Sequence, residues 1–206
     1  MPNVLLSNGV ALPTVGLGVF RASPRDTLDA VGAALRLGYR HVDTAHVYGN
    51  EAEVGRAVRE SADGRVRAVG VSNFLVPHLD ELAAQARVLP HVNQIEVHPF
   101  HQQRDTRDWC RRHGVTVEAY SPLAKATRLS HPTVVETAAR LGRSPAQVLL
   151  RWGVEQGMVV LPKSVRPARI AENAAIFDFE LDTSARAALD GLDEGRATGW
   201  DPRTQA

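Results

Sequence analysis

"NEAEVGRAVRESADGRVRAVGVSNF", Asn50 to Phe74, is the stretch whose reading decides the fold. Its first half reads as a helix starting at about Glu51. Its second half, "VRAVGVSN", is an apolar run entering a polar turn, which reads as a buried strand. Only a few residues near "SADG" separate the two. Helix-to-strand connections of about 2–6 residues are ordinary in alternating α/β chains. The join is therefore legal in length, and the question is what lies on either side of it.

Working outward, the same alternation continues. Toward the N-terminus, "VLLSNGVALP" predicts a hairpin with Asn8-Gly9 as its turn. "TVGLGV" predicts a short strand, and Ser23-Pro24 opens a helix that closes at Gly38, with Ser as cap and Pro in the first turn. "YRHVDTA" is the second strand before the join. After "VRAVGVSN" come a helix at about Pro77–Arg87, the strand "HVNQIEV", a helix around Thr106–His113 and the strand "VTVEAY". Helices at about Pro132–Leu141 and Pro145–Gln156 precede the strand "MVVLPK". Two more, near Ala168–Ala175 and Thr183–Leu189, lead to the tail "GRATGWDPRTQA".

Strand–helix alternation with short connections implies a parallel sheet wrapped by helices. The polar motifs fall where strands end: Asp43-Thr44, Ser72-Asn73, His98-Pro99, Tyr120-Ser121 and Lys163-Ser164. A site drawn from the carboxyl ends of several strands points to a β/α barrel. A doubly wound sheet would concentrate its site at one crevice, usually behind a glycine-rich turn, and no G-x-G-x-x-G occurs. P-loop, CxxC-pair and HExxH patterns are also missing from the sequence.

Composition narrows the classes. The chain has 206 residues, 44% of them apolar, which suits one domain with a real core. The formal net charge of +1 gives no general attraction to nucleic acid or an anionic membrane. Cys110 is the only cysteine, so no internal disulfide forms; it reads as a semi-buried helix residue beside Trp109. The apolar runs are too short to span a bilayer and no basic-then-apolar leader opens the sequence. A cytoplasmic protein is the expectation.

Asp43 ends a strand and Tyr48 follows in the loop, within "GYRHVDTAHVYGNEAEVG", Gly38–Gly55. An Asp there can orient a neighbour, and a Tyr can hand a proton to an oxygen. This stretch resembles the signature of the aldo-keto reductase family. "VRAVGVSNF" resembles the second signature, "LPKSVRPARIAENAAIF" the third, and "VNQIEVHP" and "EAYSPLAK" also match in order. Within the family the chain is most similar to prokaryotic reductases acting on diketogluconate and related carbonyls.

The resemblance implies a (β/α)8 barrel and an NADPH-dependent reductase of small aldehydes and ketones. It implies that Ser72, Asn73 and Gln94 hydrogen-bond the nicotinamide carboxamide and that Tyr120 stacks on the nicotinamide ring. Ser121 and Leu123 would line the pyrophosphate path. Lys163, Ser164 and Arg169 would hold the 2′-phosphate, and Glu172 and Asn173 would meet the adenine. Phe20, Tyr48 and Trp200 resemble substrate-pocket positions.

The same resemblance implies a loss. A (β/α)8 barrel has eight strands and typically about 250 residues. Only six strands are legible here. Two consecutive strand–helix units are missing at a scar at about Ser61–Asp63, within a single domain spanning 1–206. In the family those units end in the catalytic Lys and His that work beside Asp43 and Tyr48. The only lysines are Lys125, in a loop, and Lys163, in the phosphate site, and neither His46 nor His98 matches the missing His. The expectation is NADPH binding with little or no carbonyl reduction. The alternative is an inactive NADPH-binding pseudoenzyme or interaction protein. The barrel is expected to be either a distorted six-stranded one, with the second strand paired to "VRAVGVSN", or a gapped one whose exposed edges promote self-association.

Overall fold

The structure, a computed structural model, describes residues 3–44, 48–59, 68 and 70–199. Strands β1 (Asn3–Leu5) and β2 (Ala11–Pro13) form the predicted antiparallel hairpin, with Gly9 in its turn at φ 79°. β3 (Leu17–Gly18) runs into α1 (Pro24–Arg36). The Ser23 hydroxyl caps that helix by accepting the Asp26 backbone N–H at 3.2 Å. β4 (Val42–Asp43) and α2 (Glu51–Arg59) follow. Beyond the join lie β5 (Gly70–Ser72), α3 (Val76–Gln85), β6 (Val92–Glu96), α4 (Arg104–Arg112) and β7 (Thr116–Tyr120). A 3-10 turn at Ala124–Ala126 leads to α5 (Pro132–Leu141) and α6 (Pro145–Glu155). β8 (Val159–Leu161), α7 (Pro167–Ala174) and α8 (Thr183–Asp190) complete the order.

All ladders after the hairpin are parallel. β3 pairs with β4, and β5-β6-β7-β8 form a four-stranded sheet in that order. Bridges Val15↔Val160 and Gly18↔Lys163 join β8 back to β3. The strands thus run β4-β3-β8-β7-β6-β5 as a barrel-type arc. Among the described residues no ladder joins β4 to β5, so the expected pairing of "YRHVDTA" with "VRAVGVSN" is not made. The arc opens there, as a gapped barrel does, instead of closing on six strands. Tighter closure would force a steeper strand tilt and crowd the interior. Residues 61–63, the site of the proposed scar, lie outside the described residues.

The core lies between the arc and its outer helices, where Val15, Leu17, Ile95, Val117, Ala119 and Val160 meet Ala34, Leu79, Cys110 and Leu149. Cys110 is fully buried, not semi-buried as the sequence suggested. Interior packing also fixes one glycine. A Cβ on Gly16 would lie 2.5 Å from the Leu161 side chain and 2.8 Å from Nδ1 of His41. Gly16→Ala is therefore expected to lower the melting temperature by several degrees, as overpacking costs about 1–3 kcal/mol; thermal unfolding of the variant checks this. Among the described residues no helix is long and apolar enough to cross a membrane.

Candidate functional site

The strand register stacks polar residues in rows at the carboxyl end of the arc. Ser72, Gln94 and Glu118 are register partners across β5, β6 and β7. Glu96, Tyr120 and Leu161 form the next row up across β6, β7 and β8. On the far side, Gly18 pairs with Asp43 and bridges to Lys163.

A polar network spans the interior between these walls. The Gln94 side-chain amide donates to Asp43 Oδ1 at 2.8 Å and to Glu118 Oε2 at 2.7 Å. The other Glu118 oxygen meets Nε2 of His41 at 2.8 Å, with both side chains largely buried. Asp43 of β4 and His41 just ahead of it, with Gln94 of β6 and Glu118 of β7, therefore brace β4 against β6 and β7. Burial opposes a charge on His41, but the bond to Glu118 and its negative charge outweigh this and raise the imidazole above its usual range. Burial and the Glu118 charge raise the Asp43 carboxyl, against the pull of Gln94 and His41.

Tyr48 stands edge-on to Phe20, ring centres 5.0 Å apart, and Phe20 is 46% exposed at the rim. Burial first, and then the Asp43 charge, push the Tyr48 phenol above its ordinary value. The loop carrying Tyr48 is tied down by Asn50. Its amide accepts from Thr44 at 2.8 Å and donates to the Val19 carbonyl at 2.9 Å. Trp200 and His46 lie outside the described residues.

The predicted nicotinamide contacts converge. Asn73, left-handed at φ 60°, donates its backbone N–H to the Gln94 carbonyl at 2.8 Å, and the Ser72 hydroxyl reaches that carbonyl at 3.1 Å. Tyr120 donates its hydroxyl to Asn73 Oδ1 at 3.0 Å, so its ring is held at the rim. Ser121 is also left-handed and Leu123 packs partly against the core. Lys163 is exposed at the end of β8. Ser164 accepts the Arg166 N–H just ahead of α7. Arg169 is exposed on the first turn of α7 and Glu172 half-buried further along, whereas Asn173 is buried. The Tyr39 hydroxyl, bonded to the Ile170 carbonyl at 3.2 Å, anchors α7 against the strand that carries Asp43. Cations beside a helix start suit a phosphate.

The family model of the aldo/keto reductase family matches residues 14–63 and 61–194. The chain belongs to the aldo/keto reductase family. An aldo-keto reductase of Mycobacterium sp. (strain KMS) is 36% identical over 268 residues, covering 98% of this chain and 97% of that protein. The glyoxal reductase of Bacillus subtilis is 34% identical over 263 residues, covering 97% and 95%. A crystal structure of a Gox0644 mutant in complex with NADPH is similar with a TM-score of 0.92 and 31% identity, over 99% of this chain and 98% of that one. The fold expected from the family resemblance, the barrel type of an aldo-keto reductase, is the one observed, with its opening between β4 and β5.

Glu118 and His41 were not among the sequence-predicted site residues. The available signal was a charged residue inside the apolar run "VTVEAY", two positions from Tyr120 and so on the same strand face. His98 is buried, with its ring Nε2 3.1 Å from Glu96 Oε1. Among the described residues no group of His, Cys, Asp and Glu is arranged to hold a metal ion.

Proposed function

We propose that this chain is one aldo-keto reductase domain, residues 1–206, that lacks two consecutive strand–helix units at about Ser61–Asp63. It keeps an NADPH site and reduces small carbonyl compounds slowly at best. The observation that carries this is the pairing of a convergent cofactor rim with an incomplete acid–base set. The 268-residue span aligned to the mycobacterial relative exceeds the chain's own 206 residues. The two matched family segments meet at residues 61–63, and the arc opens between the strands flanking them.

The donor set suits the cofactor. Gln94 keeps its amide carbonyl for a carboxamide N–H, beside Ser72 and Asn73. Tyr120 offers a tethered ring face. Ser121 and Leu123 line the pyrophosphate path. Lys163, Ser164 and Arg169 supply charge and donors for a 2′-phosphate, with Glu172 and Asn173 toward the adenine. When bound, NADPH supplies the hydride. Asp43 and Tyr48 are the residues left to manage the proton at the carbonyl oxygen, with Phe20 and Trp200 at the substrate side.

A second function is favoured by where the loss falls. It removes the family's Lys and His while sparing the cofactor rim, as a nucleotide-binding pseudoenzyme or interaction protein would. Among the described residues the outer edges of β4 and β5 have no ladder partner, which favours self-association, and the cytoplasm remains the expected compartment.

Fluorescence titration of the purified protein with NADPH, with NADH as control, tests the cofactor site. Saturable binding with NADPH preferred by about tenfold or more is expected, because a phosphate on Lys163 and Arg169 adds at least about 1.4 kcal/mol. No saturation, or equal affinity for both nucleotides, would overturn the assignment.

A further inference from the structure

The segment after α8 runs along the carboxyl ends of β6 and β7 and the loops that follow them. Asp193 Oδ1 accepts the Gln102 N–H at 3.2 Å. Glu194 donates its backbone N–H to the Phe100 carbonyl at 3.0 Å and pairs with Arg128 at 2.6 Å. The segment then ends on two anchors. The Thr198 backbone N–H donates to Glu96 Oε1 at 2.7 Å, and its hydroxyl donates to the same oxygen. The Lys125 ammonium donates to the Thr198 carbonyl at 3.1 Å. A Cβ on Gly199 would lie 2.7 Å from that ammonium and 3.6 Å from Glu96 Oε2, so the small residue lets both anchors close.

Each anchor has an independent peculiarity. Glu96 is 1% exposed at the end of β6. Burial alone would raise its carboxyl, yet the bonds from His98 and Thr198 hold it down at about 2. At neutral pH it is therefore a buried carboxylate satisfied by Thr198 and His98. Lys125 sits in a loop where Ser121, Ala124, Lys125 and Ala126, none of them glycine, all have φ between 47° and 63°. Left-handed backbone costs roughly 1–2 kcal/mol for such residues, and it persists only where the surroundings hold it.

We propose that residues 193–199 are a strap whose anchors, Glu96 and Lys125, hold the strained loop Ser121–Ala126 in the shape that receives the cofactor's pyrophosphate. This rests on the assignment of that loop to cofactor binding. Lys125 acts as a positioning residue: it contacts the strap, and through it the loop is fixed. Strap seating and cofactor occupancy are then coupled, each favouring the other.

The test uses Lys125→Met, which removes one anchor at an exposed position, and Gly199→Ala, which displaces the same ammonium without removing it. Trypsin cleavage after Arg196, followed by mass spectrometry, reads the strap without any cofactor. Both variants are expected to be cut about fivefold faster than wild type, and to bind NADPH about three- to tenfold more weakly, the worth of one lost charged hydrogen bond with some loop relaxation. Saturating NADPH is expected to slow the cleavage of wild type. Unchanged cleavage in both variants would show that the strap is not anchored there. Faster cleavage with unaltered NADPH affinity would overturn the coupling and leave the cofactor site standing. Failure of wild type to bind NADPH would overturn the cofactor assignment, and the coupling with it, while the cleavage rates still report on the anchors.

Discussion

Mixed with NADPH and a small dicarbonyl such as glyoxal, the purified protein is expected to consume cofactor about 10²–10⁴-fold more slowly than an aldo-keto reductase with a complete catalytic set, the usual cost of an unmatched acid–base group. As hydride reaches the carbonyl carbon, negative charge grows on the oxygen, and a donor must meet it there. On the proposed reading, Tyr48 is that donor. A phenol ordinarily titrates near 10, and here burial and the charge of Asp43 both push it higher. Among the described residues no ammonium stands against it to reverse that shift. Asp43 is itself raised by burial and commits an oxygen to Gln94. The acid is thus both reluctant and without the cation that would tune it. The measurement is NADPH absorbance decay under saturating cofactor, on protein already shown to bind it. Turnover at the rate of a complete enzyme would sink the proposal that this chain lacks units that carry the chemistry.

The sequence made the elements legible but not their closure. Prolines mark the first turns of α1, α3, α5, α6 and α7; α5 matches the expected Pro132–Leu141, and α4, which has no such mark, begins two residues earlier than expected, at Arg104. Strand centres were right, and the ladders are shorter than the apolar runs. Whether six strands close is decided by tilt and interior volume, which no local pattern encodes. The rim residues were legible because they follow apolar runs directly. Glu118 was not, because period-two alternation cannot distinguish a polar residue facing a barrel interior from one facing water. The strap was still less visible: Thr198 and Glu96 are 102 residues apart in the chain, and nothing local marks either as the other's partner.

Glu118→Ala is expected to cost about 3–5 kcal/mol, because His41 must either keep an uncompensated buried charge or give up its proton, and a buried amide hydrogen is left without an acceptor. In a chain of this size that is a fall of roughly 10 °C in melting temperature. Among the described residues β4 is paired by backbone only to β3, and its side chains reach β6 and β7 through Asp43–Gln94 and His41–Glu118. Glu118→Gln keeps the shape and removes the charge, so it separates packing from electrostatics. The groups facing His41 are Glu118 from β7, Asp43 from its own strand and the Pro13 carbonyl, reached at 3.4 Å. Because His41 is raised in the folded state, its contribution is fully present below the unfolded value near 6.5 and is lost as pH rises through the folded value. In Glu118→Gln the dominant remaining influence is burial, which lowers His41 and reverses that sign. The stability gap between wild type and Glu118→Gln should therefore widen as pH falls from about 8 to about 6, the range in which imidazole titrates. Thermal unfolding across that range measures it. A gap that stays flat would mean that His41 is neutral in the fold and that the brace works by hydrogen bonding alone.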